Sequence, residues 1–153
     1  MPRVRRAAEV VWGGNLARGS GRITADSGAF ERLPYTAATR VGEPEGKTSP
    51  EELLAAAHAG CYAMSLAGEL SRAGTPPGQI DVRAVVTLDE VPGQGHRIVG
   101  SEIQVRARVE GLEPAELERV ARAADDGCPF SALIRASGMV SIESEVEGGA
   151  GGD

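Results

Sequence analysis

The stretch that most limits how this chain can fold is KTSPEELLAAAHAGCYAMSLAGELSRAG, Lys47 to Gly74. It opens with a helix start: Ser49 is a good N-cap, Pro50 suits the first helical position, and Glu52 follows the cap by three residues. It closes at Gly74, and Pro76 and Pro77 forbid continuation. Between these ends, Leu53 to Leu66 carries almost no charge. A helix apolar on all sides belongs in a core or an interface rather than on a surface. Its residues are mostly small, and Gly60 and Gly68 each cost roughly 1 kcal/mol relative to alanine in a helix interior. That cost implies either close backbone approach or a local break.

Everything else is arranged around this helix. Ala8 to Trp12 reads as a strand, Gly13-Gly14-Asn15 as a turn, and Gly21 to Ala25 as the returning strand. Gly28 to Pro34 is loop-like, and Tyr35 to Val41 reads as a third short strand. GEPEGK, Gly42 to Lys47, is a polar loop feeding the helix. After Pro77 the period changes to two. Ile80, Val82, Ala84, Val86 and Leu88 alternate with mostly polar residues, as do Ile103, Val105, Ala107 and Val109, with a turn over Pro92 to Gly95. Leu117, Val120, Ala121 and Ala124 recur at helical spacing over Pro114 to Asp126, and Gly127 ends that helix. Cys128-Pro129 starts a shorter helix to about Ala136, and Val140 to Glu147 alternates as a last strand. The order βββ-α-ββ-α-β predicts an α+β fold with an antiparallel sheet and a buried central helix. Residues 1–147 read as a single domain, and the Gly-rich tail 148–153 reads as disordered.

Composition removes several function classes. Aromatics are only 3% of the 153 residues, so the core must be built from aliphatic side chains. The net charge of −6 leaves no electrostatic footprint for nucleic acid, and Arg3, Arg5 and Arg6 read as a solvated start. No segment reads as a membrane span or a secretory signal, so the expected compartment is a reducing cytoplasm. In that compartment a cysteine with a role is a redox or metal residue rather than half of a structural disulfide.

There are two cysteines. Cys61 lies inside the apolar helix, where a cysteine is ordinarily a small buried hydrophobe. Cys128 precedes Pro129 at a helix start, where free N–H groups favour a thiolate or where the residue is simply a weak cap. His58 and Cys61, spaced i, i+3, could share a metal with Cys128 and His96, but the spacing matches no zinc-finger pattern and His96 sits in a glycine-rich turn. His58 also reads as a core or interface histidine. The glycines at 13–14 and 19–21 do not lead from a strand into a helix, so they are not phosphate loops. Neither histidine lies near a nucleophile elbow.

SPEELLAAAHAGCYAMSLA resembles the signature helix of the OsmC/Ohr family, and GCPFSALIRAS is similar to its C-P-x-S segment around a second cysteine. The N-terminal AEVVWGGNLARGSGRITADSGAFERLPYTAATRVGEPEGKTSPEEL resembles the OsmC branch in particular. The likeness runs from about Glu9 to Val146. Two departures stand out: Ser49 replaces the usual Asn before Pro-Glu, and Gly60 replaces a common Ala before Cys61. Neither removes a chemical group.

The resemblance implies a thiol peroxidase acting on organic hydroperoxides in preference to hydrogen peroxide, with no cofactor. Cys61 corresponds to the peroxidatic cysteine and Cys128 to the resolving one. Arg40 corresponds to the arginine brought to the thiolate, and Glu51 to the active-site glutamate. The resemblance further implies an intertwined homodimer with interfacial sites, and a thiol reductant such as a lipoylated protein. A metal-binding protein using His58, Cys61 and Cys128, and a non-catalytic dimeric binding module, are the rival readings. Chemistry agrees: Cys61 lies three turns into its helix, beyond the reach of the dipole, so a cation must stabilise the thiolate; Arg40 is the candidate, and a carboxylate such as Glu51 would hold it. Leu54, Tyr62 and Phe130 are expected to wall an apolar substrate. Ten residues of straight helix put Glu51 and Cys61 ~15 Å and ~80° apart. Either the helix breaks near His58-Ala59-Gly60, or two copies cross so that Glu51 of one serves Cys61 of the other.

Overall fold

The computed structural model describes residues 2–147; the tail 148–153, expected to be disordered, lies outside the described residues. The chain divides into two compact units, Met1–Leu53 and Leu54–Asp153.

In the first unit, β1 (Ala8–Gly13), β2 (Ser20–Ala25) and β3 (Leu33–Tyr35) form an antiparallel meander in the order β1-β2-β3. Trp12 and Tyr35 meet edge to face, with ring centroids 5.5 Å apart. They do so over Gly21, where an added Cβ would come within 2.3 Å of the tyrosine ring. The third strand stops at Tyr35, which corrects the reading of Tyr35 to Val41 as extended. Ala37–Val41 is instead a short helix, α1. The cause is local: Thr36 caps it, its Oγ1 accepting from Thr39 N–H, while Thr39 Oγ1 accepts from Thr36 N–H. This reciprocal box satisfies two otherwise orphan donors.

The long helix α2 spans Pro50–Arg72. Ser49 caps it as expected, Glu52 N–H donating to Ser49 Oγ at 3.1 Å, while the Glu52 carboxylate accepts from Thr48 Oγ1 at 2.9 Å. The helix ends at Gly74, which has φ +82. Thr75 N–H bonds Leu70 C=O and Gly74 N–H bonds Ser71 C=O, the two links of a Schellman stop. Helix α2 is unbroken through His58-Ala59-Gly60, so the break considered above is absent. Nor does the chain cover all of it. His58, Tyr62, Leu66 and Leu70 are buried along one stripe, whereas Glu52, Ala56, Gly60 and Met64 are exposed and Met64 is 79% exposed. At Gly60 a Cβ would meet nothing within 4 Å, so the glycine serves no close approach within the chain.

The second unit packs the α2 stripe with β4 (Gln79–Val91), β5 (Gly95–Arg108), α3 (Pro114–Asp126), α4 (Pro129–Arg135) and β6 (Met139–Val146). β4 and β5 form the expected hairpin, with a register shift at Thr87/Leu88. β6 pairs with β5 in parallel, so the second sheet is mixed rather than antiparallel. A parallel neighbour needs a crossover of a dozen or more residues, and α3 with α4 supplies one. Gly138 makes that return possible: an added Cβ would lie 2.2 Å from the Val99 carbonyl group.

Ile103, Val105 and Ala107 of β5 join Leu117, Val120 and Ala124 of α3 in one buried cluster with Tyr62, Leu66 and Leu70. Each fully buried aliphatic side chain contributes about 1.5–3 kcal/mol. Two hydrogen bonds orient α3 against α2. Tyr62 Oη donates to Ala121 C=O at 2.8 Å, and Ser65 Oγ to Ala124 C=O at 2.7 Å. The second reaches one of the carbonyls that a helix end leaves without an intrahelical partner.

Candidate active site

Two pairs of side chains singled out from the sequence are brought together. The first is Arg40 with Glu51. The capping box of α1 sets the helix that carries Arg40, and Ser49 sets the first turn of α2, which carries Glu51. Arg40 Nε donates to both carboxylate oxygens at 3.0 Å, and Nη2 donates to Oε1 at 2.5 Å. The arginine is 40% exposed and the glutamate 15%. The hydrogen bond to Glu51 raises the Arg40 pKa, against its partial burial. Burial works to raise that of Glu51, but the bond from Arg40, its own backbone N–H and the positive charge outweigh it and hold the carboxylate below its usual range. The result is a guanidinium fixed by two nitrogens, and among the described residues its Nη1 makes no hydrogen bond.

The second pair is Cys61 with Cys128, both free thiols. Cys61 is half-buried and packs against the cluster that contains Cys128, itself 1% exposed. Burial pushes the Cys61 thiol up, and the neighbouring Cys128 thiol pushes it the same way; the backbone N–H of Phe130 acts in the opposite sense. Cys128 is the N-cap of α4, but its side chain makes no capping hydrogen bond. Its role as a weak cap is therefore absent.

Tyr62 departs from the expected substrate wall. It is fully buried, and burial pushes its hydroxyl far above the usual phenol range. It is a core residue tied to α3, whereas Phe130 is partly buried against the cluster.

His58 is likewise fully buried, and both ring nitrogens are engaged: Nδ1 with Ser101 Oγ at 2.7 Å and Nε2 with Ser131 Oγ at 2.8 Å. Burial lowers its pKa, opposed by the nearby Asp125 charge and reinforced by Arg135. A neutral ring suits two hydroxyls, one donating to it and one accepting from it. With both nitrogens occupied, His58 is not available to a metal alongside Cys61 and Cys128. Among the described residues no group of three His, Cys, Asp or Glu side chains is placed to hold a metal ion. His96 lies exposed at the start of β5, opposite Glu90.

Sequence reasoning missed Ser101 and Ser131. A signal existed for the first: Ser101 falls in phase with Ile103, Val105 and Ala107 on the buried face of β5, and a buried hydroxyl demands a partner. It also missed Asp125, 7% exposed, whose Oδ2 accepts from Arg135 across the α3–α4 junction. Asp125 Oδ1 has no hydrogen-bond partner among the described residues.

Comparison with known proteins bears on the family of the chain. The model of the OsmC-like protein family matches residues 42–143, which include Glu51, Cys61 and Cys128. The chain is 35% identical over 133 residues to peroxiredoxin OsmC of Escherichia coli, covering 87% of this chain and 92% of that protein. It is 27% identical over 123 residues to an organic hydroperoxide resistance protein of Xanthomonas axonopodis pv. citri, covering 80% and 84%. Among solved structures, an organic hydroperoxide resistance protein of Elizabethkingia anophelis superposes with a TM-score of 0.71 at 22% identity, over 96% of this chain and 100% of that one. That of a Bacillus subtilis homologue gives 0.68 at 22% identity, over 91% and 98%. At these identities the structural matches speak for the fold.

Proposed function

Since the chain belongs to the family of OsmC-like proteins, we propose that it is a cysteine-based peroxidase that reduces organic hydroperoxides, and hydrogen peroxide less well, in defence against oxidative or osmotic stress. The observation that carries this reading is the placement of two free thiols at one apolar cluster, Cys128 within it and Cys61 packed against it. Peroxiredoxin OsmC and the organic hydroperoxide resistance proteins are its relatives by name.

In the proposed cycle the Cys61 thiolate attacks the outer peroxide oxygen. The O–O bond breaks, the alkoxide leaves with a proton as an alcohol, and Cys61 becomes a sulfenic acid. The Cys128 sulfur then attacks the Cys61 sulfur, expelling the oxygen as water and forming the disulfide. A dithiol, for which a lipoylated protein is the candidate, returns both thiols by exchange.

The first step needs a thiolate, and burial together with Cys128 holds the Cys61 proton on. A cation must therefore come to it, and Arg40, fixed by Glu51, is the candidate. On an unbroken α2, Glu51 and Cys61 are ~15 Å apart along the axis and face ~80° away from each other. We therefore assign the Arg40–Glu51 pair of one chain to Cys61 of a second chain, in a homodimer that crosses on the exposed Ala56, Gly60 and Met64 face of α2. On this reading residues 1–147 act as one functional domain, in the cytoplasm. Among the described residues no helix is long and apolar enough to cross a membrane.

The test is consumption of cumene hydroperoxide with dihydrolipoamide against other thiol donors, followed by mass spectrometry of the protein. An intramolecular Cys61–Cys128 disulfide with turnover is expected. No such linkage, or only intermolecular ones, sinks the assignment.

A further inference from the structure

His58 lies on the buried stripe of α2, and the chemistry above makes no use of it. It sits one helical turn before Cys61. Its Nε2 partner, Ser131, sits one turn after Cys128, on the first turn of α4. Its Nδ1 partner, Ser101, sits on β5, the strand that holds β4 and β6 together. All three side chains are at most 1% exposed. Three elements separated in sequence are thus fastened at a single ring, and two of them carry the thiols.

We propose that His58 is a positioning residue that sets the approach of the two sulfurs: its Nε2 link to Ser131 fixes the Cys128 end of α4 against the turn of α2 that carries Cys61, whereas its Nδ1 link to Ser101 only anchors the ring. The inference rests on the proposed function for the meaning of disulfide closure, but the geometry it invokes is independent of peroxide.

The physical basis is the rigidity of the arrangement. A neutral imidazole offers one donor and one acceptor at fixed directions, and two serine hydroxyls complement it in either tautomer. A buried hydrogen bond with no water to replace it leaves an unsatisfied group if either partner is removed, so the three hold one geometry. Cys128 makes no side-chain capping hydrogen bond, so the start of α4 is not fixed by a cap of its own. Ser131 fixes it from three residues away. Closure of a disulfide between two held thiols depends on effective concentration, which falls when either is free to move.

The two serines provide the discriminating experiment. Each Ser→Ala change removes one hydroxyl from the same histidine, so the two should destabilise the protein about equally. Only the Ser131 change should loosen the thiol pair. The measurement is the equilibrium of full-length protein with oxidised and reduced dithiothreitol, in which two protein thiols become a disulfide as the reagent disulfide becomes two thiols. Ser131→Ala is expected to lower the effective concentration of the pair about 10-fold or more, and Ser101→Ala less than about 3-fold. His58→Gln, whose amide nitrogen reaches the Nε2 position, should keep most of the wild-type value. His58→Asn, which reaches only the Nδ1 position, should resemble Ser131→Ala. Equal shifts for both serines, no shift for either, or equal losses for the Gln and Asn variants would overturn the proposal. A protein that consumes no peroxide but shows the split upholds this inference and overturns the peroxidase; one that consumes peroxide without the split does the reverse.

Discussion

The two halves of the chain hold their key side chains by opposite means. In Met1–Leu53 the Arg40–Glu51 pair is partly exposed, and Ile23 is the one buried hydrophobic residue of that unit among those described. In Leu54–Asp153 the His58–Ser101–Ser131 cluster and both cysteines sit in or against a continuous apolar core. Charge organises the first region and desolvation the second. A three-stranded sheet with little buried surface is marginal alone, and Val10, Val11 and Leu16 of that region lie exposed. The comparison teaches where stability resides and where chemistry must be adjustable. Burial favours the protonated form of the Cys61 thiol in the core, while the charged Arg40–Glu51 pair is mounted on the lightly built part.

The sharpest cut through this contrast is Cys61→Ser, expected to reduce peroxide consumption at least about 10³-fold with folding intact, measured by steady-state kinetics and circular dichroism. Cys128→Ser should react once and then stop. Next comes the charged side. Arg40→Ala should slow the first step about 10–100-fold and raise the pH at which Cys61 reacts with iodoacetamide. Glu51→Ala should slow it by less. The double variant should lose little beyond Arg40→Ala, and strictly additive losses would show that the two do not act as a unit.

Smaller effects belong to the rigid side. Gly138→Ala drives a Cβ into the Val99 backbone, and should cost about 1–3 kcal/mol in chemical denaturation with thiol reactivity preserved. His58 contributes a pH signature. Its folded pKa is depressed below the usual 6.5, so the unfolded chain takes up the proton first as pH falls. Stability should therefore be level above about pH 7.5 and decline below 6.5 with a slope of at most about 1.4 kcal/mol per pH unit, until the folded pKa is passed. His58→Gln should flatten that slope. The smallest effect is that of Glu51, also depressed: its contribution, at most about 1 kcal/mol for a pair this exposed, is complete above its ordinary pKa of 4.5 and is lost as pH falls through the folded value. Glu51→Gln should remove it.

Much of this architecture was legible because local signals agreed. Ser49, Pro50 and Gly74 bound α2 where expected, and the period-two runs gave β4, β5 and β6. The misreadings came from longer-range or competing causes. Thr36 and Thr39 look like strand residues, yet their side chains build a capping box and turn the chain into α1. The parallel seating of β6 is decided by the α3–α4 crossover and not by the residues of β6 itself. The apolar run of α2 reads as uniform, since periodicity does not tell the buried stripe of His58, Tyr62, Leu66 and Leu70 from the open one of Ala56, Gly60 and Met64. At the site, Arg40, Glu51, Cys61 and Cys128 were legible as residue types. The serines were not, because a hydroxyl declares its partner only when the fold has chosen one.

The partners of His58 lie 43 and 73 residues further along the chain, and Tyr62 reaches its carbonyl 59 residues downstream. During synthesis at about 5–20 residues per second, several seconds pass between the emergence of the α2 sequence and that of Ser131. Through that interval the apolar stripe of α2 has no sheet to cover it and Cys61 has no neighbour to restrain it. Contacts so distant in sequence also form slowly in a released chain, since loop closure must precede them. The nascent protein thus exposes the Cys61 sulfur before the structure that governs it exists, and oxidant present during translation would meet Cys61 before it could meet Cys128.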